Sequence, residues 1–246
     1  MNILISNDDG YQAKGIQILA KYLAQRHDII VLAPSGNKSA ASSSLTIGKP
    51  LKPIQVADNI YHMDATPSDC VHLALCGFLK TSIDLVVTGI NLGANLGDDV
   101  IYSGTVAGAI EGRFLGLPSI AISLASWEGR CFETAGKVAK KVVDTIHISQ
   151  LSHDTVLNVN VPDIAYEDIR GFQTTRLGKR HASEPSIQDK DNPSLYWIGD
   201  NGAEADSTLG TDFYALAHGY VSVTPLQIDL TKYNEMNRLS TWLSTI

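Results

Sequence analysis

Asp8 and Asp9 stand side by side in "ISNDDG", residues 5–10. Adjacent carboxylates repel, and the repulsion is poorly screened where a buried strand ends. A shared divalent cation would remove it. The other readings are a solvated turn, or a role for one aspartate as a helix cap. Side chains alternate along a strand, so neighbouring acids converge on one ion only where the chain turns. Gly10 permits such a turn. Two later segments, "APSGNKSAASSS" (33–44) and "GINLGANLGDDVIYSGT" (89–105), add hydroxyl and amide oxygens and contain no His or Cys. An all-oxygen set suits Mg²⁺, Mn²⁺ or Ca²⁺ and does not suit structural zinc. "YSGT" (102–105) opens a run of small residues. There Ser103 and Thr105 can cap a helix, and the free N–H groups of that helix start can seat a phosphate. A plain N-cap without a ligand is the alternative.

These groups need elements to bring them together. "NILIS" (2–6), "DIIVLAP" (28–34), "IDLVVTGIN" (83–91), "LPSIAISL" (117–124) and "TVLNVNVP" (155–162) are mostly apolar runs of strand length. Between them lie helical segments: 15–26, 67–80, 103–116 and 134–147. In the first, Ile16, Leu19, Ala20 and Leu23 share one face. In the second, Pro67 and Ser68 are helix-opening residues. Strands that are apolar throughout, alternating with helices, predict a Rossmann-like three-layer α/β domain with a mostly parallel sheet. In such sheets ligands bind beyond the carboxyl ends of the strands. The three oxygen-rich loops would then share one sheet edge.

After about residue 165 the texture changes to polar segments with short strand-like pieces, "LYWIG" and "YVSVTPL", and a terminal helix in "NEMNRLSTWLSTI". The reading is one domain, residues 1–246, with 165–246 as an appended β-rich extension that reaches toward a partner subunit.

Composition bounds the partners. A net charge of −7 argues against a nucleic-acid or membrane-surface binder. The start has no basic region before an apolar core, so no signal peptide is expected, and no apolar run spans a bilayer. The three cysteines, Cys70, Cys76 and Cys131, read as reduced thiols of a cytoplasmic protein. "GINLGANLG" is not the dinucleotide fingerprint, and there is no phosphate-binding loop ending in Gly-Lys-Ser/Thr. "TTRLGKRH" (174–181) either contacts a substrate phosphate or is a solvated loop, and Asp98 and Asp99 either support the site or cap a local turn.

"ISNDDG", "APSGNKSAASSSLT", "TPSDCV", "VVTGINLGANLGDDVIYSGTVAGAIEG", "LNVNVP" and "GTDFYALAHGYVSVTPL" resemble, in order and spacing, the SurE survival-protein family of metal-dependent nucleotidases. The resemblance runs from about residue 1 to 230. It implies a divalent-metal phosphomonoesterase acting on nucleoside 5′- and 3′-monophosphates, with short polyphosphate as a substrate of some members. It implies one divalent cation per subunit, Mg²⁺ or Mn²⁺, held by Asp8, Asp9, Ser39 and Asn91, and a phosphate segment at Ser103, Gly104 and Thr105. It also implies a homodimer or homotetramer with an exchanged C-terminal segment. The chain departs from the family pattern at Ser35-Gly36 (often Asp-Arg), Lys38 (Arg), and Ala40 and Ala65 (Gly), which lowers the positive charge near the second loop.

The mechanism expected from this set is hydrolysis by water, with Asp8 or Asp9 taking the proton and Asn95 and residues 103–105 holding the other phosphate oxygens. Two other protein classes share parts of this pattern. A receiver-type signalling domain also has paired acids after its first strand, but it needs a phosphorylated aspartate where this chain has Asn91. A nucleotide-binding regulatory module would keep the fold without turnover.

Overall fold

The computed structural model describes residues 1–146, 152 and 154–246. In chain order the elements are β1 (Asn2–Ser6), α1 (Lys14–Leu23), β2 (Asp28–Pro34), β3 (Ile54–Ala57), β4 (Ile60–Met63), α2 (Pro67–Leu73), β5 (Leu85–Leu92), α3 (Gly104–Phe114), β6 (Ser119–Ala125), α4 (Phe132–Thr145) and β7 (Val156–Pro162). They continue with β8 (Phe172–Thr174), β9 (Lys179–Arg180), β10 (Ile187–Gln188), β11 (Tyr196–Trp197), β12 (Glu204–Asp206), α5 (Asp212–Ala217), β13 (Val221–Leu226) and α6 (Met236–Leu243). His147, expected at the end of the fourth helix, lies outside the described residues.

Nine strands form one sheet in the order β3-β4-β2-β1-β5-β6-β7-β13-β8. The run β4-β2-β1-β5-β6-β7 is parallel, as expected for apolar strands buried on both faces. Alternate residues serve opposite layers. Ile3 and Ile5 of β1 join α1 and α4 in one core, and Leu4 joins Cys70 and Val71 of α2 in another. A third cluster sets Val106 and Ala109 of α3 against Ala121 of β6. The layers are α1 with α4 on one face and α2 with α3 on the other.

The structure adds detail to the sequence reading in three places. The second helix ends at Leu73, and residues 74–78 form a wider turn in which Gly77 takes a positive φ of 130°. An edge hairpin, β3 and β4, had no periodic signal because its residues are mostly exposed or half-buried. The C-terminal segment is β-rich, as expected, and part of it is tied into the main sheet. β13 enters the main sheet antiparallel to β7, and β8 pairs with β13 on its far side. The remaining short strands form two small pairs, β10 with β11 and β12 with β9.

Chain order reverses beside β1, which has β2 on one side and β5 on the other. That is the topological switch point, where a crevice opens at the carboxyl ends of an open sheet. α1 packs over this point so closely that a Cβ on Gly15 would lie 1.9 Å from the Ile90 carbonyl oxygen. Gly15→Ala must push α1 off β5 and is expected to cost about 3 kcal/mol or more. Urea melts of the purified variant check this, and an unchanged midpoint would refute the packing argument.

Candidate active site

The first loop is a closed turn. The Asn7 side chain donates to the Gly10 carbonyl at 2.9 Å and accepts from the Gly10 N–H at 3.2 Å. Gly10 has φ +102°, and a Cβ there would press on the Gly36 backbone at 3.1 Å. This turn carries Asp8 and Asp9. The second loop is tied to it by the Lys38 N–H, which donates to the Asp8 carbonyl at 2.7 Å. The third loop is tied to it by the Leu92 N–H, which donates to Asp9 Oδ2 at 3.3 Å. One backbone hydrogen bond and one from a backbone N–H to the Asp9 carboxylate therefore hold the second and third loops to the first at the switch point.

Asp8, Ser39, Asn91, Asn95 and Ser103 line one cleft of about 680 Å³. Asp8 is 4% exposed, and its carboxylate accepts a hydrogen bond from the Thr105 hydroxyl. Asp9 is half-buried. Burial, relieved only in part by Thr105, pushes the Asp8 carboxyl above the usual range. Burial, and then the charge of Asp8, pushes Asp9 up to about 6. Among the described residues no Lys, Arg or His forms an ion pair with either one.

Two desolvated carboxylates without a cationic partner fit a divalent cation, which would reverse both shifts. The neighbours fit as well. Asn91 donates its amide N–H to the Gly93 carbonyl at 2.8 Å, which leaves its Oδ1 without a protein partner among the described residues. The Ser39 hydroxyl donates to Asn37 Oδ1 at 2.6 Å and keeps its lone pairs. Both offer neutral oxygens of the hard type.

The helix start at 103–105 behaves differently from the sequence expectation of an open phosphate seat. The Ser103 hydroxyl accepts from the Val106 N–H at 3.1 Å and is the N-cap of α3. Thr105 is fully buried and turned to Asp8. A Cβ on Gly104 would meet Asp8 Oδ2 at 3.0 Å. The anion held at this helix terminus is the carboxylate of Asp8.

Asn95 faces the cleft from a polar network that sequence reasoning missed. Its N–H donates to Asn160 Oδ1 at 2.8 Å, its carbonyl accepts from the side chains of Asn158 and Asn160, and its own amide donates to Ser123 Oγ at 2.7 Å. The signal was present: "LNVNVP" puts two asparagines two residues apart, hence on one face of a strand buried throughout. Asp212 was missed as well. It is fully buried, and it accepts from the N–H groups of Gly97, Gly178 and Phe213 at 2.8, 2.8 and 3.0 Å. It thereby joins the 97–101 turn to the 178–180 segment.

In that segment Arg180 reaches the cleft wall. Its guanidinium pairs with Asp99 at 2.7 Å, and its N–H donates to Asp98 at 2.8 Å. This explains the "DD" at 98–99 as a tether for the C-terminal half of the chain.

A family profile described as "Survival protein SurE" matches residues 3–184. The chain belongs to the SurE family. Across its full length it is 72% identical to a protein of Ruthia magnifica named 5'-nucleotidase SurE, whose whole length is also covered. It is 51% identical to the protein of that name from Alkalilimnicola ehrlichii, with 99% of this chain and 96% of the relative covered. The crystal structure of the SurE protein from Aquifex aeolicus superposes with a TM-score of 0.88 at 42% identity, covering 98% of this chain and 99% of that one. The SurE fold is thus shared over nearly the whole chain. Family membership sets aside the receiver-domain rival. Among the described residues no helix is long and apolar enough to cross a membrane.

Proposed function

We propose that this chain is a divalent-metal-dependent phosphomonoesterase that hydrolyses nucleoside 5′- and 3′-monophosphates to nucleoside and phosphate, with short-chain polyphosphate as a further substrate. The observation that carries the reading is the adjacent Asp8 and Asp9 at the switch point, one buried and one half-buried and neither with a cationic partner among the described residues, with Asp8 lining one cleft with the neutral oxygens of Ser39 and Asn91. Its SurE relatives bear the name 5'-nucleotidase, which supports the same reading.

Asp8, Asp9, Ser39 and Asn91 are the residues to hold one Mg²⁺ or Mn²⁺ per subunit. Such a cation supplies Lewis acidity toward the phosphoryl group and favours ionisation of water near it. Asn95 and Ser103 line the cleft and are better placed to hold phosphate oxygens than Gly104 and Thr105, which are turned to Asp8. Asn95 enters with its backbone and amide N–H already fixed, so it needs no reorganisation as charge develops on the phosphate. Of the two aspartates, Asp9 is the better proton acceptor. Asp8 is engaged by Thr105, whereas Asp9 makes one long bond to Leu92. Water attacks phosphorus as Asp9 takes its proton, the ester P–O bond breaks, and the leaving oxygen takes a proton from the solvent water of the open cleft to depart as the nucleoside alcohol, after which Asp9 returns its proton to solvent.

The C-terminal segment 165–246 exposes Trp197 of β11 and Ile198 just after it, and Leu239, Trp242 and Leu243 on α6. An apolar face of this kind supports a homodimer or homotetramer in which the segment is exchanged between subunits. Light scattering after gel filtration tests this, and a monomer at all concentrations would sink it. The three free cysteines support reduced thiols in the cytoplasm.

The decisive experiment is phosphate release from a panel of nucleoside monophosphates with Mg²⁺ or Mn²⁺, repeated after EDTA. Activity that vanishes in EDTA and returns with added cation is expected. Inactivity on every substrate marks a binding module that keeps the fold without turnover, and indifference to EDTA removes the metal from the mechanism.

A further inference from the structure

Trp127 follows β6 on the loop at the same sheet edge as Asp8 and Asn91, and it lines the same cleft. It is 84% exposed, an unusual position for so large an apolar side chain. Nothing in the protein uses its ring: among the described residues it stacks on no aromatic and sits under no cation. Yet it is seated. A Cβ on Gly93 would lie 2.9 and 3.0 Å from indole atoms Cζ3 and Cη2, so the benzene edge of the indole rests where Gly93 has no side chain. Gly93 has φ +111°, and its carbonyl accepts the Asn91 amide at 2.8 Å. One short loop therefore carries a candidate cation ligand and the seat of an open aromatic surface. Tyr102, 65% exposed and next to Ser103, is a second aromatic lining the cleft.

We propose that Trp127 is the nucleobase platform of this site: a base stacks on its exposed indole while the phosphate lies at Asp8, Asn91 and Asn95. This rests on the phosphomonoesterase reading and names the part of the substrate that reading leaves open. A cleft of about 680 Å³ is in the range that accommodates a mononucleotide. Stacking tolerates every base because each has a π face, and it strengthens with ring area, so purine nucleotides are preferred over pyrimidine nucleotides. A sugar phosphate without a base forgoes the contact.

The test compares adenosine 5′-monophosphate with ribose 5-phosphate, using wild type, Trp127→Ala and Trp127→Phe. In Trp127→Ala the ratio of kcat/KM for the nucleotide to that for the sugar phosphate is expected to fall roughly fivefold or more, mostly through KM, with Trp127→Phe restoring most of it. Equal losses on both substrates, or an unchanged ratio, would overturn the assignment. So would a changed mass of Trp127→Ala on gel filtration, which would make the residue a subunit contact. A second arm does not depend on turnover. Adenosine, added in EDTA, is expected to quench indole fluorescence in wild type and not in Trp127→Ala; equal quenching in both overturns the proposal. Wild type that releases phosphate from neither substrate defeats the phosphomonoesterase reading, while the fluorescence arm still decides Trp127.

Discussion

Asp9→Asn is expected to lower phosphate release by about 10³-fold or more and, in the same protein, to raise the melting temperature of the metal-free form near neutral pH. The first effect follows from losing a cation ligand and the proposed proton acceptor together. The second follows from electrostatics. In the folded, metal-free chain the Asp9 carboxyl is raised to about 6, by burial and then by the charge of Asp8. In the unfolded chain it returns to the ordinary 3.8. Between those values the folded state binds a proton that the unfolded state does not. Stability therefore falls as pH rises through this window, and the cost is complete above the folded value.

Discounted for the partial exposure of Asp9, the cost is on the order of 1–2 kcal/mol near neutral pH, a few degrees in melting temperature for a chain of this size. In EDTA near neutral pH, Asp9→Asn should therefore melt above wild type, and the two should converge toward about pH 4. Added Mn²⁺ should reverse the order by stabilising wild type alone. A variant that melts below wild type in EDTA near neutral pH would contradict the account, because it would mean that the ionised carboxylate stabilises the empty site.

Gly104→Ala is the second large effect, and its two parts pull apart. Gly104 is the first residue of α3, where alanine is ordinarily the better helix former by up to about 1 kcal/mol. Its φ is not positive, so its backbone does not require glycine. What requires glycine is space: a Cβ would stand 2.9 Å from Asp8 Cβ and 3.0 Å from Asp8 Oδ2. The methyl group must displace the Asp8 carboxylate by a few tenths of an ångström from the position it shares with Thr105. Misplacement by a full ångström at a reacting centre costs about 10²-fold, so this smaller shift is expected to cost roughly tenfold in kcat/KM, with melting temperature nearly unchanged. Phosphate-release kinetics beside a thermal melt check both halves, and Mn²⁺ affinity by electron paramagnetic resonance shows whether the loss runs through the cation. Full activity in Gly104→Ala would mean that Asp8 has no fixed position to lose.

Much of this molecule is legible in the chain because the relevant physics is local. Apolar runs such as "NILIS" and "DIIVLAP" have no polar face, so they must be covered on both sides, and that alone implies a parallel sheet between helix layers. The oxygen-only make-up of the three loops, and the hard cation it suits, are a matter of residue type. The short strands β3 and β4 gave no such signal, because β3 is exposed throughout and β4 is mostly half-buried, so neither carries a continuous apolar run.

What the tertiary structure decided depends on partners far apart in sequence. Thr105 looked like part of an open phosphate seat. It is a buried donor to Asp8, a contact across 97 positions that no local pattern encodes. Asp98 and Asp99 read either as support for the site or as caps of a local turn, and they hold Arg180 at the cleft wall, more than eighty residues away. Trp127 carried no motif at all. Its meaning comes from the glycine it rests on and the cleft it faces, and both belong to the folded chain. The sequence by itself determined which atoms were on offer and which layers would carry them, since side-chain chemistry and periodicity are properties of neighbouring residues. Only the fold decided which oxygens are free and which are already taken, because a hydrogen bond between distant segments exists only once the sheet has set them side by side.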